Sequence, residues 1–190
     1  MRKMLLALLA MLFLMGGSAS LVATAQDDAT PDATPEGEAE EAVESTNPVD
    51  PAIGDTVTYY GQNGEPVGEI TVTEITRNWE DYGEFEEPDP DVEYIAFTIE
   101  VESLTSRGAI DVDPYRFQLQ SPAGFVYTTS FVQGAEGLEP AVVTESTSLA
   151  EGETLEGLLV FEVFADEELA HLFWTPDSSF LLTIANLEGE

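Results

Sequence analysis

The chain has 190 residues, 38 acidic side chains against five basic ones, one histidine and no cysteine, with a formal net charge of −33 at pH 7. A field of that sign repels nucleic acid and anionic lipid. The lack of cysteine excludes disulfides, thiolate nucleophiles and the thioether lipid of a lipoprotein anchor, so stability has to come from a core alone.

Arg2 and Lys3 precede an apolar run from Met4 to Met15, and small residues then lead to Ala23-Thr24-Ala25. This order predicts a secretory signal peptide over residues 1–25, helical while it crosses the membrane, with cleavage before Gln26. The alternative is an uncleaved anchor, because Met4 to Ala25 is just long enough to span a bilayer. Cleavage leaves Arg77, Arg107 and Arg116 as the only basic side chains, and without lysine a Schiff-base mechanism is excluded. The expected location is secreted or on the extracytoplasmic cell surface, with no further membrane insertion of the mature chain.

Residues 26–52 read as a disordered acidic tether. They hold the tandem Asp28-Ala29-Thr30-Pro31 and Asp32-Ala33-Thr34-Pro35, a Glu-rich stretch and no aromatic residue. So little apolar surface cannot offset the entropy of ordering, while like charges and proline favour extension. A plain spacer is expected; O-linked sugars on the Thr-Pro pairs are the alternative.

From residue 53 to 190 the pattern changes to alternation broken by turns. Strands are expected at 55–60, 67–75 and 92–102, where Ile95, Phe97, Ile99 and Val101 share one face and Tyr94, Ala96, Thr98 and Glu100 the other. Tyr115, Phe117 and Leu119 form the next inward set. The Ser121-Pro122-Ala123-Gly124 turn then leads to Phe125, Tyr127, Thr129 and Phe131, a hairpin signal. Further strands are expected at 141–149, 158–163, 169–174 and 180–187, with one helical turn over 166–171 as an alternative. The strand at 158–163 is apolar on both sides and is expected to be central. No helical stripe exists, so about eight strands predict an all-β fold, an antiparallel immunoglobulin-like β-sandwich that needs no partner copy. Glu69, Glu74, Glu100, Glu102 and Glu162 on outward positions discourage edge-to-edge pairing.

Several of these segments carry a resemblance. Phe97 to Glu102, Phe117-Gln118-Leu119 with its Ser121 to Gly124 turn, Leu149 to Thr154, and Gly157 to Val163 are similar to bacterial secreted immunoglobulin-like domains of unknown function. These in turn are similar to the mycobacterial immunoprotective extracellular antigens. The resemblance runs from about Gly54 to Leu187, with Ser103-Leu104 where such domains have asparagine and Glu151-Gly152 where they have Pro-Gly. It implies an exported sandwich without established catalysis. Gly152 and Gly157 read as structural, the first supplying a turn and the second admitting a close backbone.

The acidic loop from Glu80 to Asp91 is the candidate contact surface. Glu84, Glu86, Glu87, Asp89 and Asp91, stiffened by Pro88 and Pro90, offer oxygens for weak calcium binding, although the spacing matches no EF-hand and solvated charge is the plainer reading. Asp111 and Asp113 form a second close pair. Trp79, Tyr82 and Phe85 are interleaved with the acids and would either stack on a sugar or a cation, or fold back to cap the sandwich.

His171 lies in an apolar segment without a nucleophile elbow, so a triad is not expected, and no cofactor is implied. The leading expectation is therefore a non-catalytic binding or adhesion module whose partner is a protein, a glycan or a cation. A structural acidic envelope protein is the alternative, and a hydrolase using two carboxylates is the third reading. N-terminal sequencing of the exported protein is expected to begin at Gln26; an intact Met1 in a membrane fraction contradicts cleavage.

Overall fold

Alternating apolar residues without a helical stripe can satisfy their backbone groups only by pairing strands. The computed structural model describes residues 46–83, 86–133 and 135–189. Its strands are β1 (Thr56–Tyr60), β2 (Pro66–Thr76), β3 (Val92–Ser103), β4 (Ile110–Val112), β5 (Phe117–Gln120), β6 (Val126–Thr128), β7 (Thr147–Leu149), β8 (Thr154–Phe164), β9 (His171–Trp174) and β10 (Leu182–Asn186). One sheet has the order β1-β2-β3-β8, a second β10-β9-β5-β6, and β4 pairs with β7 in a small third sheet; all ladders are antiparallel. The expected all-β sandwich is thus present, with ten strands rather than about eight. Among the described residues no helix is long and apolar enough to cross a membrane. The leader, and residues 26–45 of the tether, lie outside the described residues.

The core lies between the inner faces of the two large sheets. Ile70, Val72, Ile95, Phe97, Ile99, Leu159 and Phe161 meet Phe117, Leu119, Leu172, Trp174 and Ile184, all buried. Phe97 and Phe161 pack edge to face at 5.7 Å, and Phe117 stacks on Trp174 at 6.1 Å. Gly157 gives up a side chain for this packing: a Cβ there would overlap the Val143 methyl and reach the Ala141 carbonyl oxygen at 3.4 Å. The turn at Gly152 (φ 76°) is held by backbone bonds to Ser103 in both directions, Gly152 N donating to Ser103 O and Ser103 N to Glu153 O. Because only backbone is used, Ser103 serves where the resemblance has asparagine.

Four expectations change. The strand at 158–163 is not central: β8 ends its sheet. Its outer edge is instead covered by two short segments, through bridges Thr129↔Phe161 and Val142↔Leu158 and the bonds Ser130 N→Val160 O and Leu158 N→Ala141 O. Its second apolar face answers a second, smaller core, in which Trp79, Tyr94, Ala96, Val132, Ala135 and Val160 are buried outside the main sheet. Only Thr147–Leu149 of the expected 141–149 strand is a strand, and its partner β4 is too short to show a period. The alternative helical turn at 166–171 is a tight turn followed by β9. Finally, the last residues of the expected tether are docked, with Asn47 exchanging two bonds with the Thr58 backbone and Asn186 N donating to Pro51 O.

Two polar contacts pin the ends of the strands. Glu93, only 4% exposed, forms an ion pair with Arg77 and also accepts from the amides of Asn78 and Asp166. Those two residues carry the left-handed φ values 49° and 61°, and Asn and Asp are the types that tolerate them. Arg77 further donates to the Glu167 carbonyl at 2.9 Å. At the far side Tyr59 donates its hydroxyl to Asp177. Burial, and next the Asp177 bond, push this phenol up to about 12. Burial works to raise Asp177 as well, but bonds from Tyr59 and the amides of Ser179 and Phe180, with Arg116 nearby, hold its carboxyl below the usual range.

Removing the Glu93 carboxylate leaves two amides without their acceptor and the partly exposed Arg77 with the Glu167 carbonyl alone, so Glu93→Ala is expected to cost ~2–3 kcal/mol in denaturant unfolding and Glu93→Gln less. A cost under ~1 kcal/mol for the alanine contradicts this role. The Tyr59–Asp177 pair stabilises the fold fully between the ordinary carboxyl and phenol pKa values, about 4 and 10. Its contribution is lost as pH falls below that window, where Asp177 protonates, and as pH rises toward 12, where Tyr59 ionises. Tyr59→Phe is expected to lower stability by ~1–2 kcal/mol near neutral pH and to flatten the alkaline limb of the stability curve. An unchanged alkaline slope in that variant refutes the assignment.

Candidate functional site

The residues around the acidic loop are positioned by the end of β2 and the start of β3. Trp79 N donates to Tyr94 O at 2.9 Å, which turns the indole down onto the outer face of β3. There Trp79 is 5% exposed and tilts against Tyr82 at 6.2 Å; Tyr82 meets Tyr94 edge to face at 5.5 Å. Burial, followed by the carboxylates of Glu162 and Glu86, pushes the Tyr94 phenol up. The rings therefore cap a sheet face, and Trp79 offers no free surface to a sugar. Phe85 and Glu84 lie outside the described residues.

Of the remaining loop acids, Glu86 is half-buried while Glu87, Asp89 and Asp91 are exposed. Among the described residues no three of His, Asp or Glu come together as a metal site would require. Asp111 and Asp113 have structural work: Ser148 donates to Asp111, and Asp113 accepts from Tyr115 N at 3.0 Å, capping a 3-10 turn at Pro114–Arg116. His171 stacks on Phe173 at 5.6 Å, and its buried Nδ1 has no hydrogen-bond partner among the described residues.

The start of the acidic loop meets a second segment of the chain. Gly83 N donates to Gln133 O at 2.8 Å, so residues 79–83 and the segment after Phe131 form one layer on the outer face of β3 and β8, floored by Val132 and Ala135. At its margin two aromatic rings that the sequence pattern placed inward are exposed: Tyr115 at 64% and Phe131 at 62%. Tyr115 leaves the inward set because it sits in the 3-10 turn ahead of β5. Phe131 leaves it because the chain crosses from β6 to the edge of β8 at Thr129, which changes the face that each following residue presents. Both rings stand at a shallow dent of only about 10 Å³ beside the hydroxyl residues Thr129, Ser130 and Thr144, and Phe131 also borders a cleft of about 220 Å³ with Gln133 and Val142. Among the described residues no basic side chain lines either. An exposed aromatic beside Thr-Ser hydroxyls was the one signal in the sequence, and period-two parity concealed it.

Comparison with known proteins follows the fold. The secreted protein MPT63 from Mycobacterium tuberculosis is 15% identical, with a TM-score of 0.52 over 75% of this chain and 99% of that one. The yjhA protein from Bacillus subtilis is 16% identical, with a TM-score of 0.50 over 70% of this chain and 98% of that one. At such identities the likeness carries the fold alone. No curated protein matches the chain in sequence. Residues 64–179, more than half the chain, match the family described as Domain of unknown function (DUF4352), and the chain belongs to that family.

Proposed function

We propose that this protein is an extracytoplasmic, non-catalytic binding module whose exposed rings Tyr115 and Phe131, with the cleft beside Phe131, form a contact surface for a glycan chain of the cell envelope. The location rests on the leader pattern of residues 1–25 and agrees with the secreted character of MPT63. The single observation that carries the ligand class is the pair of exposed rings on a surface that bears the hydroxyls of Thr129, Ser130 and Thr144. Aromatic faces cover the apolar side of a sugar ring, hydroxyls exchange hydrogen bonds with its rim, and the net charge turns away anionic polymers. Rigidity comes from below, where Val132 and Ala135 are buried in the second core. A contact surface held this way loses little entropy on binding.

The test is co-sedimentation of the purified protein with insoluble envelope glycan. Tyr115→Ala combined with Phe131→Ala is expected to weaken capture by about tenfold, the effect of losing two exposed contact rings, with no change in Tm beyond about 1 °C. A double variant that sediments as well as the parent overturns the assignment.

A further inference from the structure

A second exposed aromatic group lies on another part of the surface. Phe164 is the last residue of β8 and points to the outer face, two residues beyond exposed Glu162 on the same side. Phe125 meets its ring edge to face at 5.7 Å, and Tyr127 does so at 6.3 Å. Phe125 and Phe164 are 52% and 49% exposed, while Tyr127 between them and the interior packs against the main core, so the two phenylalanine rings stand on a fixed base with half their surface in solvent. Val126 beside them is exposed as well. Three neighbouring apolar side chains left in solvent on an acidic chain make a surface suited to docking.

The surroundings say what charge that partner carries. Glu162 and Asp166 are exposed, the Asp91 backbone carbonyl accepts the amide of Ala165 and so brings exposed Asp91 to the start of the turn after β8, and Glu167 is close enough to act, after burial, on the Tyr127 phenol. Arg77, which reaches the Glu167 carbonyl, is already paired with Glu93. Rings rimmed by uncompensated carboxylates attract a cation on two counts, through the quadrupole of the rings and through the acids. A second copy of a chain with net charge −33 is repelled. Guanidinium groups suit the corner better than ammonium groups, because they are planar, weakly hydrated and stack on aromatic faces while bonding a carboxylate in their own plane.

We propose that Phe125, Tyr127 and Phe164, rimmed by Glu162, Asp166 and Glu167, form a docking site for the arginine side chains of a basic protein segment. The site is separate from the surface at Tyr115 and Phe131 and does not depend on the glycan reading.

The experiment titrates the purified protein with a hexa-arginine peptide by calorimetry near physiological ionic strength, with a hexa-lysine peptide in parallel. The parent is expected to bind hexa-arginine more tightly than hexa-lysine. Phe164→Ala and Phe125→Ala are each expected to weaken hexa-arginine by about fivefold while leaving every charge in place. Phe131→Ala is expected to bind it as the parent does. Should Phe164→Ala fail to fold, Phe125→Ala carries the test, since that ring is half in solvent. Binding unchanged in a natively melting Phe125→Ala overturns the proposal in favour of diffuse charge attraction, and so does no binding by the parent. A parent that sediments as a dimer dissociated by Phe125→Ala overturns it in favour of self-association.

Discussion

A carboxylate buried in a chain this acidic has to be paired, and Glu93 is buried because Arg77 faces it. That one pair joins the end of β2, the start of β3 and the turn after β8, and its oxygens satisfy the amides of two left-handed residues, Asn78 and Asp166. Both outer surfaces begin close to it in the chain. Trp79 begins the loop layer two residues after Arg77, and Phe164 stands three residues before Glu167. With few cations in the sequence, such a pair cannot be improvised elsewhere. Its energetic significance lies in what an unpaired partner would cost rather than in the attraction alone.

The second constraint is the covering of β8. A terminal strand with exposed backbone and apolar side chains on both faces invites pairing with another molecule. Here the outer face is buried beneath Trp79, Val132 and Ala135, and the free edge is taken by residues 129–130 and 141–143. Gly157 makes the approach of Val143 possible. The same segments that close the edge carry Phe131 to the surface, so protection of the strand and display of an aromatic contact are one arrangement. Trp79, beside the acidic loop, is used for packing, whereas Tyr115 and Phe131 are exposed because they lie in a turn and a crossing.

Much of this was legible beforehand for a simple reason. Period-two alternation in β3 and the Pro-Gly turn before β6 report local geometry, which depends on neighbouring residues only. Gly157 was legible as a close approach because a glycine ahead of a buried strand has few other purposes. Four features were not. β4 is too short to carry a period; the edge position of β8 was masked because apolarity on both faces looks the same whether neighbours are strands or loops. Tyr115 and Phe131 were assigned inward by parity, which fails where the chain bends into a 3-10 turn or leaves one sheet for another. The docking of Asn47 onto Thr58 depends on two backbone bonds that no composition signals.

The amino-acid sequence by itself determined the charge, the absence of cysteine, the leader pattern and the strand-forming alternation, since each is a property of residues and their immediate neighbours. Only the tertiary structure decided which rings remain at the surface. Exposure depends on what else comes to lie over a face, and here that was settled by loops from distant parts of the chain. Trp79 and Phe131 are equally aromatic and equally set in loops, yet one is buried with Val132 and Ala135 and the other stands in solvent beside them.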